Sequence, residues 1–374
     1  MDLTVTDLCV PSISPAEVVG GGFQVVDVRS SVEFAEGHVP GAVNIPLLDD
    51  DQRAAVGTVY KEEGASPARM TAMELVSPGL AGYLHALSDL ARSQPKGRRL
   101  AIMCWRGGER SRNVVLLLAL IGLHVVMVTG GYRGYRREVL AELEKWSPGV
   151  PVVTLYGHTG AGKSALLRSL ADIAPGLRSL RPWPLDLERL ALHRGSLLGG
   201  LNQPGERRQK DFDALLWEEL RRPGGDYLVL ECEGGKIGRI YLAGKVAEAV
   251  RCGIPVQVTA SIEARTTRIM EEYSPGTWGE DDRRRFRRSL ELIATRLPRE
   301  SYLSLERAFD DGRFSEVVQR LLVEYYDPMY HRSCVEGREF VLEFETTTDP
   351  VADARRFVKQ IARHMREVDL SSYD

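Results

Sequence analysis

Short apolar runs alternate with helically spaced segments through the first part of the chain. Phe23–Val28 (F-Q-V-V-D-V) reads as a buried strand. A helical stretch, Ser30–Glu36, follows it, then a turn at Gly37–Gly41 and a short strand at Ala42–Ile45. Helical spacing returns over 68–93. Arg99–Met103 predicts another strand, Ser111–Ile121 a helix, and His124–Thr129 a strand that stops at Gly130-Gly131. Strand and helix in alternation predict a parallel sheet covered by helices. Residues 48–80 are longer than a simple connection, and predict either a substrate-contacting insertion or a surface loop.

W-S-P-G-V-P at 146–151 punctuates the chain, and a second α/β pattern starts behind it. Val152–Tyr156 predicts a strand, and Lys163–Ala171 a helix after a glycine-rich loop. Tyr227–Leu230 and Val256–Ala260 predict two further buried strands. From about 283 the pattern is mainly helical, ending in an amphipathic helix around Val351–Val368. Three parts follow from this: 1–145, 146–282 and 283–374. The 374-residue length is ordinary for such a chain, as are 43% hydrophobic and 27% charged residues.

Charge and cysteine content narrow the class. The net charge of −3 gives no global basic field, so any nucleic-acid contact must be a local basic face. Five scattered cysteines, Cys9, Cys104, Cys232, Cys252 and Cys334, include no C-x-x-C. That predicts reduced thiols in a cytoplasmic protein, not a disulfide framework or a zinc site. The first residues, M-D-L-T-V-T-D-L-C-V-P, lack the basic and apolar regions of a secretory leader. No apolar run approaches the roughly 18 residues of a membrane span.

Cys104 stands where a strand should end and a helix begin, in A-I-M-C-W-R-G-G-E-R-S-R (101–112). Backbone N–H groups of such a loop form an anion cradle. Gly107 and Gly108 permit the tight turn, and Ser111 opens the helix. Positive charge from the helix N-terminus, Arg106 and Arg110 favours the nucleophilic thiolate there. The plainer alternative is a small buried residue at a strand end.

A resemblance sharpens this. D-V-R-S-S-V-E-F-A-E-G-H-V-P-G-A-V-N-I-P-L (27–47) resembles the N-terminal signature of rhodanese domains, over roughly residues 15–140. It implies that Cys104 carries sulfur or selenium, and that Asp27, Arg29 and His38 hold the loop. Arg110 follows Cys104 by six positions. Many rhodaneses have a loop one residue shorter, and the longer spacing occurs also in rhodanese-fold phosphatases. The loop alone therefore leaves chalcogen transfer and phosphate-ester hydrolysis both open.

Gly157–Ser164, G-H-T-G-A-G-K-S, sits between a predicted strand and a predicted helix, the context a phosphate loop requires. Gly157, Gly160 and Gly162 let the backbone approach phosphate, Lys163 neutralises charge, and Ser164 is placed for Mg²⁺. Nucleotide hydrolysis would need a carboxylate at a neighbouring strand end, for which Glu231, with Glu233 beyond it, is the candidate.

The combination resembles the tRNA 2-selenouridine synthase family over nearly the whole chain. The matching segments are C-W-R-G-G-E-R-S, G-G-Y-R-G-Y-R (130–136), L-D-L-E-R-L-A-L-H-R-G-S (185–196) with Gln203-Pro204, and Y-Y-D-P-M-Y (325–330). The resemblance implies an α/β fold, with a rhodanese-like parallel-sheet domain, a P-loop NTPase-like domain and a helical C-terminal region. It implies replacement of sulfur by selenium in wobble 2-thiouridine of tRNAs for Lys, Glu and Gln, with selenophosphate as donor and S-geranylation from geranyl diphosphate. Cys104 would deliver selenium, and the phosphate loop would hold the geranyl donor's diphosphate. Whether ATP binds there is left open.

Other residues are candidates for tRNA contact. Arg284, Arg285 and Arg287 lie in the densest basic run (283–288), with E-R-R-Q-K (206–210) second. His193, Arg194 and Ser196 suit phosphate or anticodon contact, or a helix-ending turn. Tyr325, Tyr326 and Tyr330 suit base stacking or helix packing. Cys232, in a segment that departs from the family pattern, reads as a resolving thiol or a buried spectator. Two rival classes remain: a sulfurtransferase or phosphatase fused to a small-molecule kinase, and a non-catalytic anion binder.

Overall fold

The computed structural model describes residues 10–19, 22–193, 207–222, 224–232 and 235–367. Cys9, Arg194, Ser196, Gln203, Pro204, Glu206, Glu233 and Val368 lie outside them. The chain divides into two compact units, Met1–Glu142 with Asp213–Glu218, and Leu143–Phe212 with Glu219–Asp374.

The first unit carries a five-stranded sheet. Its strands are β1 (Ser12–Ile13), β2 (Phe23–Asp27), β3 (Val43–Asn44), β4 (Arg99–Met103) and β5 (Val126–Val128). They lie in the order β1-β5-β4-β2-β3, and every pairing is parallel. β4 is central, and its Leu-Ala-Ile-Met run is wholly buried. A strand covered on both faces reads as continuous apolar sequence, which is why the run at Arg99–Met103 predicts it. The core gathers Val26, Val28, Leu87, Ile102, Val114 and Leu118, with Cys104 among them.

Residues 48–80 are neither a loop nor irregular. They form helices Asp50–Glu62 and Ala65–Val76, which pack together, followed by a short turn of helix at Ser77–Gly79. Asp49 and Gln52 cap the first helix reciprocally, each side chain bonding the other's backbone N–H. Gly64, at φ 94°, makes the turn between them. The first helix escapes sequence pattern because it buries no residue, so no apolar stripe marks it, whereas the second opens the helical spacing over 68–93.

The second unit has its own parallel sheet of β6 (Val152–Tyr156), β7 (Pro182–Leu185), β8 (Tyr227–Glu231), β11 (Ile254–Thr259) and β12 (Leu342–Glu345), in the order β12-β11-β6-β8-β7. A small antiparallel hairpin, β9 (Lys236–Ile237) with β10 (Ile240–Tyr241), stands apart. β7 and β12 leave weak traces in the sequence for physical reasons. They are edge strands; β7 contains two prolines, and β12 buries only Phe344.

The region after 283 is therefore not helical alone. Helices Glu280–Ile293, Arg299–Asp310 and Phe314–Leu321 close a separate apolar cluster around Phe286, Leu290 and Phe309. The chain then adds β12 to the phosphate-loop sheet and covers it with helix Pro350–Glu367. Ala354, Phe357, Ile361 and Met365 recur at helical spacing and pack with Leu166, Leu167 and Leu170 of helix Lys163–Ile173. No helix among the described residues is long and apolar enough to cross a membrane. Phe357→Ala should destabilise this unit by about 3–5 kcal/mol, the usual cost of emptying a buried phenyl site. Urea unfolding measures it, and a loss below about 1 kcal/mol would put the last helix outside the core.

Candidate functional site

Cys104 follows β4 directly, and helix Glu109–Leu120 begins after four loop residues. Its sulfur is buried, accepts from the Gly108 N–H at 3.3 Å and lies 3.2 Å from Ser111 Oγ. Ser111 Oγ also donates to the Gly108 carbonyl at 3.1 Å. The loop bears on the turn after β5: Tyr132 N–H donates to the Cys104 carbonyl and Arg133 N–H to that of Trp105. Gly131, at φ 57°, has no room for a Cβ, which would collide with the Cys104 carbonyl oxygen and the Gly107 nitrogen. This close approach is what G-G-Y-R-G-Y-R encodes.

Arg110 lies beside the thiol loop but does not stand alone. It grips Glu33 with two hydrogen bonds, at 2.6 and 3.1 Å. Burial pushes the Glu33 carboxyl up, yet the Arg110 bonds outweigh it and hold it below the ordinary range. Arg106 is exposed. Underneath, Arg29 and Asp27 form a buried bidentate pair, and the guanidinium stacks on Tyr132 at 4.3 Å. Breaking one partner of such a pair costs about 3–5 kcal/mol. His38 stacks on Phe34 and bonds its carbonyl. These three residues have the structural surroundings that the rhodanese resemblance implies.

The phosphate loop joins β6 to helix Lys163–Ile173, with Gly160 at φ 78° and Gly162 at φ 93°. Lys163 Nζ donates to the Gly157 carbonyl at 2.6 Å. Outside side chains hold the other carbonyls: Arg265 that of Thr159, Arg268 that of Gly160 and Thr346 that of Ala161. Tyr330 Oη accepts from Gly157 N–H at 2.8 Å, and Asp327 faces His158. The Y-Y-D-P-M-Y segment thus braces the loop. Tyr325 and Tyr326 are buried in the helical cluster, so they do not offer base-stacking faces.

Glu231 ends β8, the strand beside the central β6, and is 2% exposed. Its Oε1 has no hydrogen-bond partner. Burial drives the carboxyl up, against the opposing pull of Lys163, while Asp186 adds to the rise. Ser164 Oγ donates to Glu188 Oε2 at 3.3 Å. Asp186 caps helix Leu187–Ala191, so L-D-L-E-R brings two carboxylates to this loop. Neither was singled out by sequence spacing, because the segment follows a different strand, β7, from the one that feeds the loop.

Elsewhere, His193 forms a helix-ending turn after left-handed Leu192, its N–H donating to the Glu188 carbonyl. Arg194 lies outside the described residues. Arg284, Arg285 and Arg287 are exposed on helix Glu280–Ile293. Arg284 faces Asp281 at 3.8 Å and Arg287 faces Asp310 at 2.6 Å. Exposed pairs of this kind are weak and leave such charges available.

The braced loop makes a pH-dependent prediction. His158 and Arg265 overcome burial and lower the Asp327 carboxyl from 3.8 to about 2. A depressed folded value stabilises above the unfolded one and is lost as pH falls through the folded one. Asp327→Asn should therefore cost stability at pH 7, by an amount that shrinks between 3.8 and about 2. Denaturation at neutral and acid pH checks it; an equal loss at both ends contradicts the assignment.

Known proteins match both halves. Residues 16–138 match the Rhodanese-like domain, and 150–360 match the tRNA 2-selenouridine synthase AAA domain. A tRNA 2-selenouridine synthase of Sulfurovum sp. is 32% identical over 335 residues, 82% of this chain and 87% of that one. One of Hahella chejuensis is 32% identical, over 89% and 95%. For one of Nitrosomonas europaea, also 32% identical, the match spans 67% of this chain and 63% of that protein, under two thirds of its length. The chain belongs to the tRNA 2-selenouridine synthase family.

Proposed function

We propose that this protein is a transferase that replaces sulfur by selenium in 2-thiouridine of tRNA. The Cys104 loop takes the selenium donor, and the Gly157–Ser164 loop takes the diphosphate of a geranyl donor. The observation that carries the reading is the pair of strand–loop–helix cradles, one built around a buried thiol and the other around Lys163, in a chain of this family.

The chemistry is coherent with those residues. Alkylation forms a C–S bond at the nucleobase as the C–O bond of geranyl diphosphate breaks and diphosphate departs with the electron pair. The alkylated sulfur leaves as a thiolate more readily than sulfide would from the bare C–S group. The selenium of selenophosphate then attacks the same carbon and expels the geranyl thiolate with the electron pair of its C–S bond; water cleaves the remaining P–Se bond, releasing phosphate and leaving selenium on the base. Cys104 holds or delivers that selenium, with the Gly108 N–H on its sulfur. Ser111 Oγ can turn its hydrogen from the Gly108 carbonyl to an anionic sulfur. Arg106 and Arg110 supply positive charge for the donor's phosphate.

A Mg²⁺ ion carried in with the diphosphate would find hard oxygen donors in Ser164 and in buried Glu231, whose Oε1 is orphaned. Among the described residues no three His, Cys, Asp or Glu side chains converge as a metal site by themselves. Bound there, Mg²⁺ would neutralise charge on the departing diphosphate. Lys163 contributes its own charge.

The substrate set follows the family: tRNAs for Lys, Glu and Gln, thiolated at the wobble uridine, in the cytoplasm. Four described cysteines are free thiols, which suits a reducing compartment. Arg284, Arg285 and Arg287 offer an exposed basic face to the tRNA backbone.

Incubation with thiolated tRNA, selenophosphate and geranyl diphosphate, followed by nucleoside mass measurement, tests the reading. Selenium incorporation is expected, abolished by Cys104→Ala; geranyl transfer should fall at least about tenfold in Lys163→Ala. No gain of selenium or geranyl mass would sink it. Charge reversal at Arg284, Arg285 and Arg287 should weaken tRNA binding and flatten its salt dependence. An unchanged salt slope would take this helix out of the interface.

A further inference from the structure

The second position of the phosphate loop carries a side chain that the reaction above does not use. His158 Nδ1 lies 2.9 Å from Asp327 Oδ1. Arg265 holds that carboxylate from the other side, Nη1 to Oδ2 at 2.9 Å and Nη2 to Oδ1 at 2.5 Å. Arg265 Nε meanwhile donates to the Thr159 carbonyl at 2.9 Å. The carboxylate is therefore fixed to the same loop that bears the imidazole.

This arrangement orients the ring. A carboxylate accepts only, so Nδ1 must carry hydrogen and donate to it. Nε2 is the ring nitrogen left over. No hydrogen bond engages Nε2 among the described residues, and the side chain is 27% exposed. Tyr330 packs beside the ring, with centroids 5.5 Å apart, while its hydroxyl is held by Gly157 N–H. Lys163 Nζ lies 5.7 Å from the same tyrosine ring. Imidazole and ammonium thus flank one tyrosine at the loop.

Charge favours an anion as the missing partner. Arg265 and Asp327 cancel, so a protonated His158 leaves this triad with a net positive charge. A neutral imidazole leaves it with none. Lys163 alone does not balance the charge of a diphosphate.

We propose that His158 contacts the bound ligand directly, its Nε2 donating to a diphosphate oxygen while Asp327 positions the ring. This rests on the loop's being a diphosphate site. Within the reaction, the same contact stabilises the diphosphate as its bond to carbon breaks.

Titration calorimetry of the full chain with inorganic pyrophosphate and Mg²⁺ tests it, beside nitrogen NMR of the histidines. His158→Ala should weaken pyrophosphate binding roughly tenfold, as expected for one lost charge-assisted hydrogen bond. His158→Gln, which keeps a donor without the charge, should fall between and guards against a folding defect. The His158 Nε2 signal should move when pyrophosphate is added to the unaltered protein. Unchanged affinity in His158→Ala, or a weakened affinity with an unmoved Nε2 signal, overturns the contact. Binding lost in Lys163→Ala but kept in His158→Ala leaves the diphosphate reading standing and removes His158 from it. If the unaltered chain binds no pyrophosphate, the diphosphate reading falls and this inference falls with it.

Discussion

A loop can present N–H groups to an anion only if its carbonyls are satisfied elsewhere. Each unpaired buried carbonyl would otherwise cost a lost hydrogen bond and let the loop relax. In the phosphate loop, four carbonyls are taken by side chains: Gly157 by Lys163, Thr159 by Arg265, Gly160 by Arg268 and Ala161 by Thr346. Three of those side chains come from far along the sequence. Helix Ile262–Tyr273 and the end of β12 are therefore parts of the loop's geometry, although neither belongs to its motif.

The thiol loop meets the same demand by other means. Its carbonyls at Cys104 and Trp105 are taken by backbone N–H groups of the turn after β5, and only glycine at 131 lets that turn come close enough. The buried Arg29–Asp27 pair then supports the turn's Tyr132 from below. One loop is braced by long side chains, the other by backbone. The difference suits their contents. A thiol needs a tight, buried collar, and a polyphosphate needs a wide loop with positive charge around it.

Electrostatics sort the charged residues in a way composition does not reveal. Arg110 and Arg265 each carry a carboxylate, Glu33 and Asp327. Such pairing keeps an arginine oriented and moderates its field. Glu231 is the opposite case: a buried carboxyl with an orphaned oxygen, raised by burial and by Asp186. A group left in that condition is costly, and its retention at a strand end beside Lys163 is what a ligand-bearing site would require.

The sequence by itself determined both loops and the strands that feed them. Cys104 after Arg99–Met103, and Gly157–Ser164 after Val152–Tyr156, are local signals: an apolar run, glycines where the backbone must turn, and a helix beginning. Both central strands are buried on both faces, so their runs are unbroken. Edge strands and polar helices left weaker traces. Pro-Trp-Pro-Leu at 182–185 is broken by two prolines, Leu-Glu-Phe-Glu at 342–345 buries only Phe344, and helix 50–62 lacks an apolar stripe. Only the tertiary structure decided which residues touch the loops. Glu33 reaches Arg110 across 77 positions, Tyr330 reaches Gly157 across 173, and Thr346 reaches Ala161 across 185. Tyr330 could be read as a base-stacking residue because nothing near it in sequence marks its partner. Hydrogen bonds between side chain and distant backbone obey no period, so they exist as information only once the sheets have brought their ends together.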